Sequence, residues 1–128
     1  MAAGKYNFIV EQGSQHEVTF RYKLSSGSYQ DLTNYRVRMS VKDHITDTAY
    51  VYQATSDDTE DTGYDVDFTI ASPQTGSDLG KFTLTIPSAT TTDFTFNQGV
   101  YDLEIVDSSD VVTRLLEGKF KIKLQVSE

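Results

Sequence analysis

The sequence is dominated by short segments in which apolar and polar residues alternate one by one. Val18, Phe20, Tyr22 and Leu24 form one such series, and the same period recurs along the chain. Side chains two residues apart lie on one face of a β-strand, whereas a helix requires a period near 3.6. No segment carries a helical stripe of useful length. The sequence therefore predicts an all-β protein whose strands each bury one face.

Turn-forming residues separate about eight alternating segments. These segments are 5–10, 17–24, 35–42, 49–54, 64–70, 82–86, 100–106 and 111–126. Pro87 ends one of them because it has no N–H for a sheet ladder, and residues 88–93 are expected to form one helical turn. Residues 107–110 read as a hairpin connection, and Gly118 is interpreted as a bulge or bend in the last segment.

Regularly spaced short strands favour an antiparallel β-sandwich of about 7–9 strands, and we expect residues 1–128 to form one such domain. A closed barrel is the alternative, because alternation does not distinguish the two. The segment 97–103, NQGVYDL, resembles the tyrosine corner of immunoglobulin-like domains, in which a tyrosine hydroxyl bonds to nearby backbone. Tyr101 holds that position, and the resemblance favours an immunoglobulin-like sandwich.

Composition excludes several classes of function. The chain has no cysteine, which excludes disulfides, zinc–thiolate sites and cysteine nucleophiles. Its net charge of -8 argues against nucleic-acid binding, which needs a basic face. No run of about 18 apolar residues exists, so no membrane-spanning helix is expected. The first residues lack the apolar core of a secretory signal.

Residue types that carry catalysis or bind metals do not form a recognisable site. His16 and His44 lie beside predicted turns and are interpreted as solvated loop residues. The acidic loop Asp57–Asp61 misses the EF-hand calcium pattern, so we interpret it as a solvated loop that repels itself, with calcium binding as the alternative.

Asp65 and Asp67 share a face of a predicted strand and are expected to keep its outer side wet. We find no nucleophile elbow and no phosphate-binding loop. The sequence therefore predicts no catalytic, cofactor-binding or metal-binding residues and no enzymatic activity.

Surface aromatics and lysines are the remaining candidates for a functional surface. Exposed tyrosines suit interfaces because they combine apolar area with a polar tip. Three lysines alternate along the last strand, where they would either protect a sheet edge or meet an acidic partner. The candidate interface residues are Tyr29, Tyr35, Tyr50, Tyr52, Lys119, Lys121 and Lys123. Phe94 is a further aromatic that the pattern does not place in the core.

Several short motifs occur in an order that resembles a known family. Gln12-Gly13 leads into VTFRY at 18–22, and DLTNYRVRM at 31–39 is similar to the family segment D-L-T-G-Y-x-A/V-R-M. Asn34 stands where that family commonly has glycine. Near the end come GVYDLE at 99–104 and TRLLEGK at 113–119, the latter similar to V-x-R-L-L-x-G-x. The family comprises small phage virion proteins with an immunoglobulin-like fold, found as baseplate or tail-fibre-associated components.

The resemblance implies a virion structural protein, assembled in the host cytoplasm, that packs against other tail, baseplate or fibre subunits in a symmetric assembly. It implies no cofactor and no catalytic residue. A capsid decoration protein on the head is one alternative. A carbohydrate-binding module is another, because Tyr50 and Tyr52 lie two residues apart on a predicted strand, as an aromatic platform would require.

Overall fold

The computed structural model of the chain describes residues 4–124, and within them the chain forms nine strands, one short α-helix and one 3-10 helix (Gly76–Asp78). The strands are β1 (Gly4–Lys5), β2 (Phe8–Glu11), β3 (His16–Arg21), β4 (Arg36–Lys42), β5 (Tyr52–Thr55), β6 (Phe68–Ile70), β7 (Lys81–Ile86), β8 (Gln98–Val106) and β9 (Val112–Lys123). The helix α1 (Ser88–Thr92) follows Pro87, where the sequence predicts one helical turn.

The strands form two sheets, which confirms the predicted all-β sandwich and excludes the closed barrel. The larger sheet has the order β1-β9-β8-β4-β5, with β2 also paired to β9, and the smaller sheet has the order β3-β7-β6. With β3 to β9 taken as strands B, C, C′, D, E, F and G, these orders are G-F-C-C′ and B-E-D. This is the strand arrangement of the immunoglobulin fold. β1 and β2 run parallel to β9, and all other ladders are antiparallel.

The core is formed where the inward residues of the two sheets meet, and aromatic rings occupy its centre. Phe8 is fully buried, and its ring centroid lies 4.9 Å from that of Tyr101 and 5.3 Å from that of Phe120. Phe20 and Phe82 of the smaller sheet stack at 5.3 Å. Inward positions alternate with outward ones along β4, β7 and β8, as the sequence predicts.

The predicted bulge in the last strand is displaced from Gly118. The pairing of β8 with β9 shifts between Leu103 opposite Leu116 and Glu104 opposite Arg114, so Leu115 is the extra residue. Gly118 instead permits a close approach of two strands, because a Cβ there would lie 2.3 Å from the carbonyl oxygen of Tyr6.

The tyrosine of the predicted tyrosine corner makes a long-range contact. The Tyr101 hydroxyl donates a hydrogen bond of 2.5 Å to the carbonyl oxygen of Tyr6, at the junction of β1 and β2. In the motif that the sequence resembles, this bond goes to backbone a few residues away. Here it ties β8 to the first strands of the chain. The single strand predicted over residues 5–10 is correspondingly divided in two, with Tyr6 and Asn7 between the parts.

Candidate interaction surface

The outer face of the larger sheet carries most of the paired charges of the molecule. Val37, Met39 and Val41 point into the core, which places Arg36, Arg38, Ser40 and Lys42 of β4 on the outer face. On the neighbouring strand β8, Asp102 and Glu104 point outward between buried residues, and β9 alternates in this way over residues 119–123. Charged residues of three adjacent strands thus lie on the outer face of the larger sheet.

A row of alternating charge crosses this face. Arg38, Glu104 and Arg114 lie opposite one another on β4, β8 and β9. Arg38 Nε donates to Glu104 Oε1 at 2.9 Å, and Arg114 Nη2 lies 3.4 Å from Asp102 Oδ2. Opposite charges in such cross-strand positions stabilise a sheet by a few tenths to about 1 kcal/mol per pair.

Two carboxylates face each other in the next row, where Asp102 of β8 is opposite Glu117 of β9. Burial, together with the nearby charge of Glu104, raises the pKa of Asp102. Lys5 of β1 pairs with Glu117, and the resulting hydrogen bond lowers the pKa of that carboxyl. Cations from β1 and β9 thus flank these two like charges.

The acidic loop differs from the predicted solvated, self-repelling loop because Asp61 turns inward. Its carboxylate lies 3.1 Å from Arg36 Nε and 3.3 Å from Arg38 Nη1, and it accepts a hydrogen bond of 2.7 Å from Thr55 Oγ1. Asp57 accepts hydrogen bonds from the hydroxyl and backbone N–H of Thr59, which lower its pKa. The loop is therefore anchored to β4 by one buried carboxylate. Residues 4–124 contain no cluster of three or more His, Asp or Glu side chains arranged to hold a metal ion.

A groove of about 640 Å³ runs along this outer face and includes two of the candidate interface residues, Tyr50 and Lys119. Tyr50 is half exposed, and its ring centroid lies 5.0 Å from Lys42 Nζ, a cation–π distance. Lys119 lies opposite Val100, which in turn lies opposite Lys42. One end of the groove is therefore basic and aromatic.

Lys121 and Lys123 extend this basic surface along β9, and both side chains are exposed. Lys123 Nζ lies 3.8 Å from Glu11 Oε1. β9 is paired on one side with β8 and on the other with β1 and β2. The interpretation that these lysines protect a sheet edge is therefore wrong. They form, with the exposed Lys119 and the partly buried Lys42, a basic strip on the outer face of the sheet.

The other candidate aromatics do not join this surface. Tyr52 is 5% exposed, and its hydroxyl donates a hydrogen bond of 2.5 Å to Asp67 Oδ2, so it is a core residue. Phe94 is also buried. Tyr29 packs beneath the guanidinium of Arg21 at 3.5 Å on the smaller sheet, and Tyr35 packs half-buried against the core. The expected pair of Tyr50 and Tyr52 on one strand face is therefore wrong: Tyr50 precedes β5, and Tyr52 points inward.

Asp65 and Asp67 also separate. Asp65 is exposed beside β5, where its backbone N–H donates to the carbonyl of Gln53. Asp67 is half-buried, and burial raises the pKa of its carboxyl despite the hydrogen bond from Tyr52. We expected both carboxylates to lie on the solvated face of one strand. This is wrong, because residues 65–67 connect the larger sheet to the smaller one.

His16 is part of β3, and this corrects its interpretation as a solvated loop residue. Its ring centroid lies 6.0 Å from that of Phe8, and its Nε2 atom is buried without a hydrogen-bond partner among residues 4–124. Burial lowers the pKa of His16. His44 lies exposed in a turn, where its backbone N–H donates to Asp47 Oδ2 at 3.1 Å.

Comparison with known proteins adds no relative: no protein-family model matches the sequence, and no curated protein matches it. Within residues 4–124, none of the helices has the length and apolar character needed to cross a membrane.

Proposed function

We propose that the chain is a non-enzymatic structural domain of a phage virion, a tail, baseplate or fibre-adaptor component that acts by packing against neighbouring subunits. One observation carries this proposal. The three motif segments at 31–39, 99–104 and 113–119 lie on or lead into three adjacent strands, β4, β8 and β9. Their outward residues Arg38, Glu104 and Arg114 form the charged row across the sheet.

The same motifs also supply residues with structural roles in the fold. Leu32 is buried in the core, Asn34 adopts the left-handed conformation with φ of 66°, and Gly118 allows the contact with Tyr6. Asn34 stands where the resembled family commonly has glycine, and asparagine tolerates this conformation better than most residues. The motif positions thus have roles that fit the family resemblance.

The partner surface is expected to be acidic. The basic strip of Lys42, Lys119, Lys121 and Lys123 lies beside the groove, and in a chain of net charge -8 it is a local exception. Complementary charge guides docking and sets the register of protein interfaces. We therefore place the contact with the neighbouring virion subunit on the outer face of the larger sheet.

Immunogold labelling of virions of the encoding phage, with an antibody raised against the free protein, tests the proposal. Label at the distal tail would support the tail or baseplate role. Label distributed over the head would replace it with capsid decoration. Absence of label on particles, with the antibody verified on the free protein, would reject both virion roles.

A charge-reversal variant tests the docking face. Lys119→Glu is expected to reduce incorporation into particles by roughly tenfold, because it places a repulsive charge within the basic strip. Lys23→Glu is the matched control, since Lys23 is an exposed lysine beyond β3, away from the groove. Each variant would be supplied to a phage lacking the chain, and its copy number per particle measured. Equal incorporation of the two variants would exclude this face as the contact.

A further inference from the structure

The smaller sheet ends in an open strand. β7 is its centre, and within residues 4–124 β3 pairs with β7 alone. Just beyond β3, the N–H of Tyr22 donates to the carbonyl of Gly80 on the β7 side. The direction of backbone hydrogen bonding alternates along an antiparallel strand. The backbone N–H and C=O groups of Glu17, Thr19 and Arg21 therefore point away from β7, toward the open edge.

The inner side of this strand is incompletely covered. Val18 and Phe20 point toward the core but remain only partly buried, unlike Leu84 and Phe82, which lie opposite them on β7. An apolar cleft of about 340 Å³ lies between the end of β3 and the start of β9. Its lining includes Phe20, Tyr22, Phe82, Leu115 and Leu116. Apolar surface thus adjoins the open strand.

The outer side of β3 carries two charges that lack counter-ions among the described residues. Glu17 Oε2 accepts a hydrogen bond from Thr85 Oγ1 at 3.3 Å, and no cation of residues 4–124 lies within salt-bridge distance of it. Arg21 stacks on the Tyr29 ring, and its Nε and Nη2 donate to two backbone carbonyls. No carboxylate of the described residues pairs with Arg21.

We propose that β3 is a self-association edge through which two copies of this chain join their smaller sheets in antiparallel fashion. The two-fold axis passes through Thr19, which lies opposite Thr19 of the second copy. Glu17 then lies opposite Arg21 of the second copy, and Val18 opposite Phe20 of the second copy. This pairing follows from the order of residues in the strand, because positions 17 and 21 are equidistant from 19 and carry opposite charges.

This register satisfies three requirements together. The open backbone groups of Glu17, Thr19 and Arg21 all gain partners, each unpaired charge meets its opposite, and apolar side chains meet on the inner face. A shift of one residue would place apolar side chains opposite charged ones. A shift of two in one direction would leave Glu17 opposite Thr19 of the second copy, without a cation. A shift of two in the other direction would place Glu17 opposite Lys23 of the second copy but leave Arg21 opposite Thr19, without an anion. Because the sequence of charged and apolar residues in β3 is complementary to itself in this register, the partner that fits the open edge is a second copy of the chain. The inference is independent of the proposed role in a virion.

A single cysteine reports the contact directly, because the chain has no cysteine of its own. In the proposed register the two Thr19 Cα atoms are about 5.5 Å apart, which a disulfide can span. Thr19→Cys is expected to form a covalent dimer under mild oxidation. Thr83→Cys is the matched control, since Thr83 is the neighbour of Thr19 on β7, with the hydroxyl oxygens 3.1 Å apart. Cross-linking of both variants alike, or of neither, would overturn the proposal.

Charge reversal tests the register. Glu17→Arg and Arg21→Glu are each expected to weaken dimerisation by roughly tenfold, because two cross-strand pairs change from attraction to repulsion. An equimolar mixture of these two variants restores both pairs and should dimerise like the unmodified chain. Sedimentation over a concentration series measures each case.

Glu60→Arg is the control for the change in net charge, because Glu60 lies exposed in the acidic loop. Recovery in the mixture distinguishes lost pairing from a damaged fold, since two misfolded variants would not rescue each other. An unmodified chain that stays monomeric throughout the series, or a mixture without recovery, would overturn the proposal.

Discussion

Tyr101 and Gly118 face each other across β8 and β9, and together they position the start of the chain. The carbonyl oxygen of Tyr6 occupies the place where a side chain at residue 118 would begin, and it accepts the hydrogen bond from Tyr101. Gly118, which lies opposite Tyr101, therefore leaves room for the backbone between β1 and β2 to pack beside β9. Neither residue alone indicates this in the sequence, because the acceptor lies 95 residues away from Tyr101.

Replacing Tyr101 with phenylalanine removes this hydrogen bond while keeping the buried ring. We expect Tyr101→Phe to lower the free energy of unfolding by about 1 kcal/mol, measured by urea denaturation. Tyr35→Phe is the control, because the Tyr35 hydroxyl makes no hydrogen bond to any described residue. An equal loss in both variants would show that the Tyr101 contact does not contribute.

The burial of His16 predicts that the stability of the protein depends on pH. Burial lowers its pKa in the folded state below the ordinary value of 6.5. As pH falls through that value, the unfolded chain binds a proton first, so the free energy of unfolding decreases. We expect this decrease between about pH 8 and about pH 5.5 in the unmodified chain and a smaller one in His16→Phe.

His44→Gln serves as the control for this measurement, because His44 is exposed and is the other of the two histidines. It should retain the pH dependence of the unmodified chain. If His16→Phe and His44→Gln lose stability equally over this range, His16 is not the responsible group.

At the scale of elements, the acidic loop between β5 and β6 is attached by a single residue. Asp61 is 6% exposed and contacts Arg36 and Arg38 of β4 as well as Thr55 at the end of β5. The neighbouring carboxylates Asp58 and Glu60 remain exposed. Composition predicts the loop but does not distinguish Asp61 from its neighbours, because its role depends on arginines from another strand.

Asp61→Ala leaves two partly buried guanidinium groups without their shared carboxylate. We expect a loss of about 2–3 kcal/mol in the free energy of unfolding, since removing one partner of a buried ion pair is strongly destabilising. Asp58→Ala should change it by less than about 0.5 kcal/mol, as for other exposed substitutions. Thermal and urea denaturation measure both variants. Equal stability of the two would contradict the anchoring role.

At the scale of the whole molecule, β1 and β2 close the sandwich by pairing with β9, near the other end of the described chain. Phe8 is the buried residue of this closure, and its ring contacts rings from both sheets, including Phe20 and Tyr101. The same arrangement leaves β3 without a partner on its outer side in the described part of the chain. Closure of one sheet thus produces the open edge of the other.

Phe8→Ala removes the ring that joins both layers and both ends of the chain. We expect it to lower the free energy of unfolding by about 4 kcal/mol, a large share of the stability of a domain of this size. Ile9→Ala is the control, because Ile9 is the next residue and 62% exposed. Comparable losses in the two variants would show that the β2 core contact is not essential.

The buried faces of the central strands β4, β7 and β8 could be predicted from the sequence, because the direction of a side chain along a strand depends on local backbone geometry. The inward Val37, Met39 and Val41 of β4 and Leu103 and Ile105 of β8 are examples. The one-turn helix also lies where the sequence predicts it, directly after Pro87, although Pro87 is its N-cap and no side chain caps it by a hydrogen bond within the described residues.

The pairing of the strands and the burial of particular polar residues depend on the tertiary structure. β1 and β2 pair with β9 and not with β3, Asp61 turns inward, Tyr52 becomes a core residue, and the bulge lies at Leu115. Each of these outcomes depends on contacts between residues distant in sequence. Many strands of the chain could pair with one another. Every half-buried strand has the same local alternation of apolar and polar residues, so the alternation does not indicate which strand it pairs with.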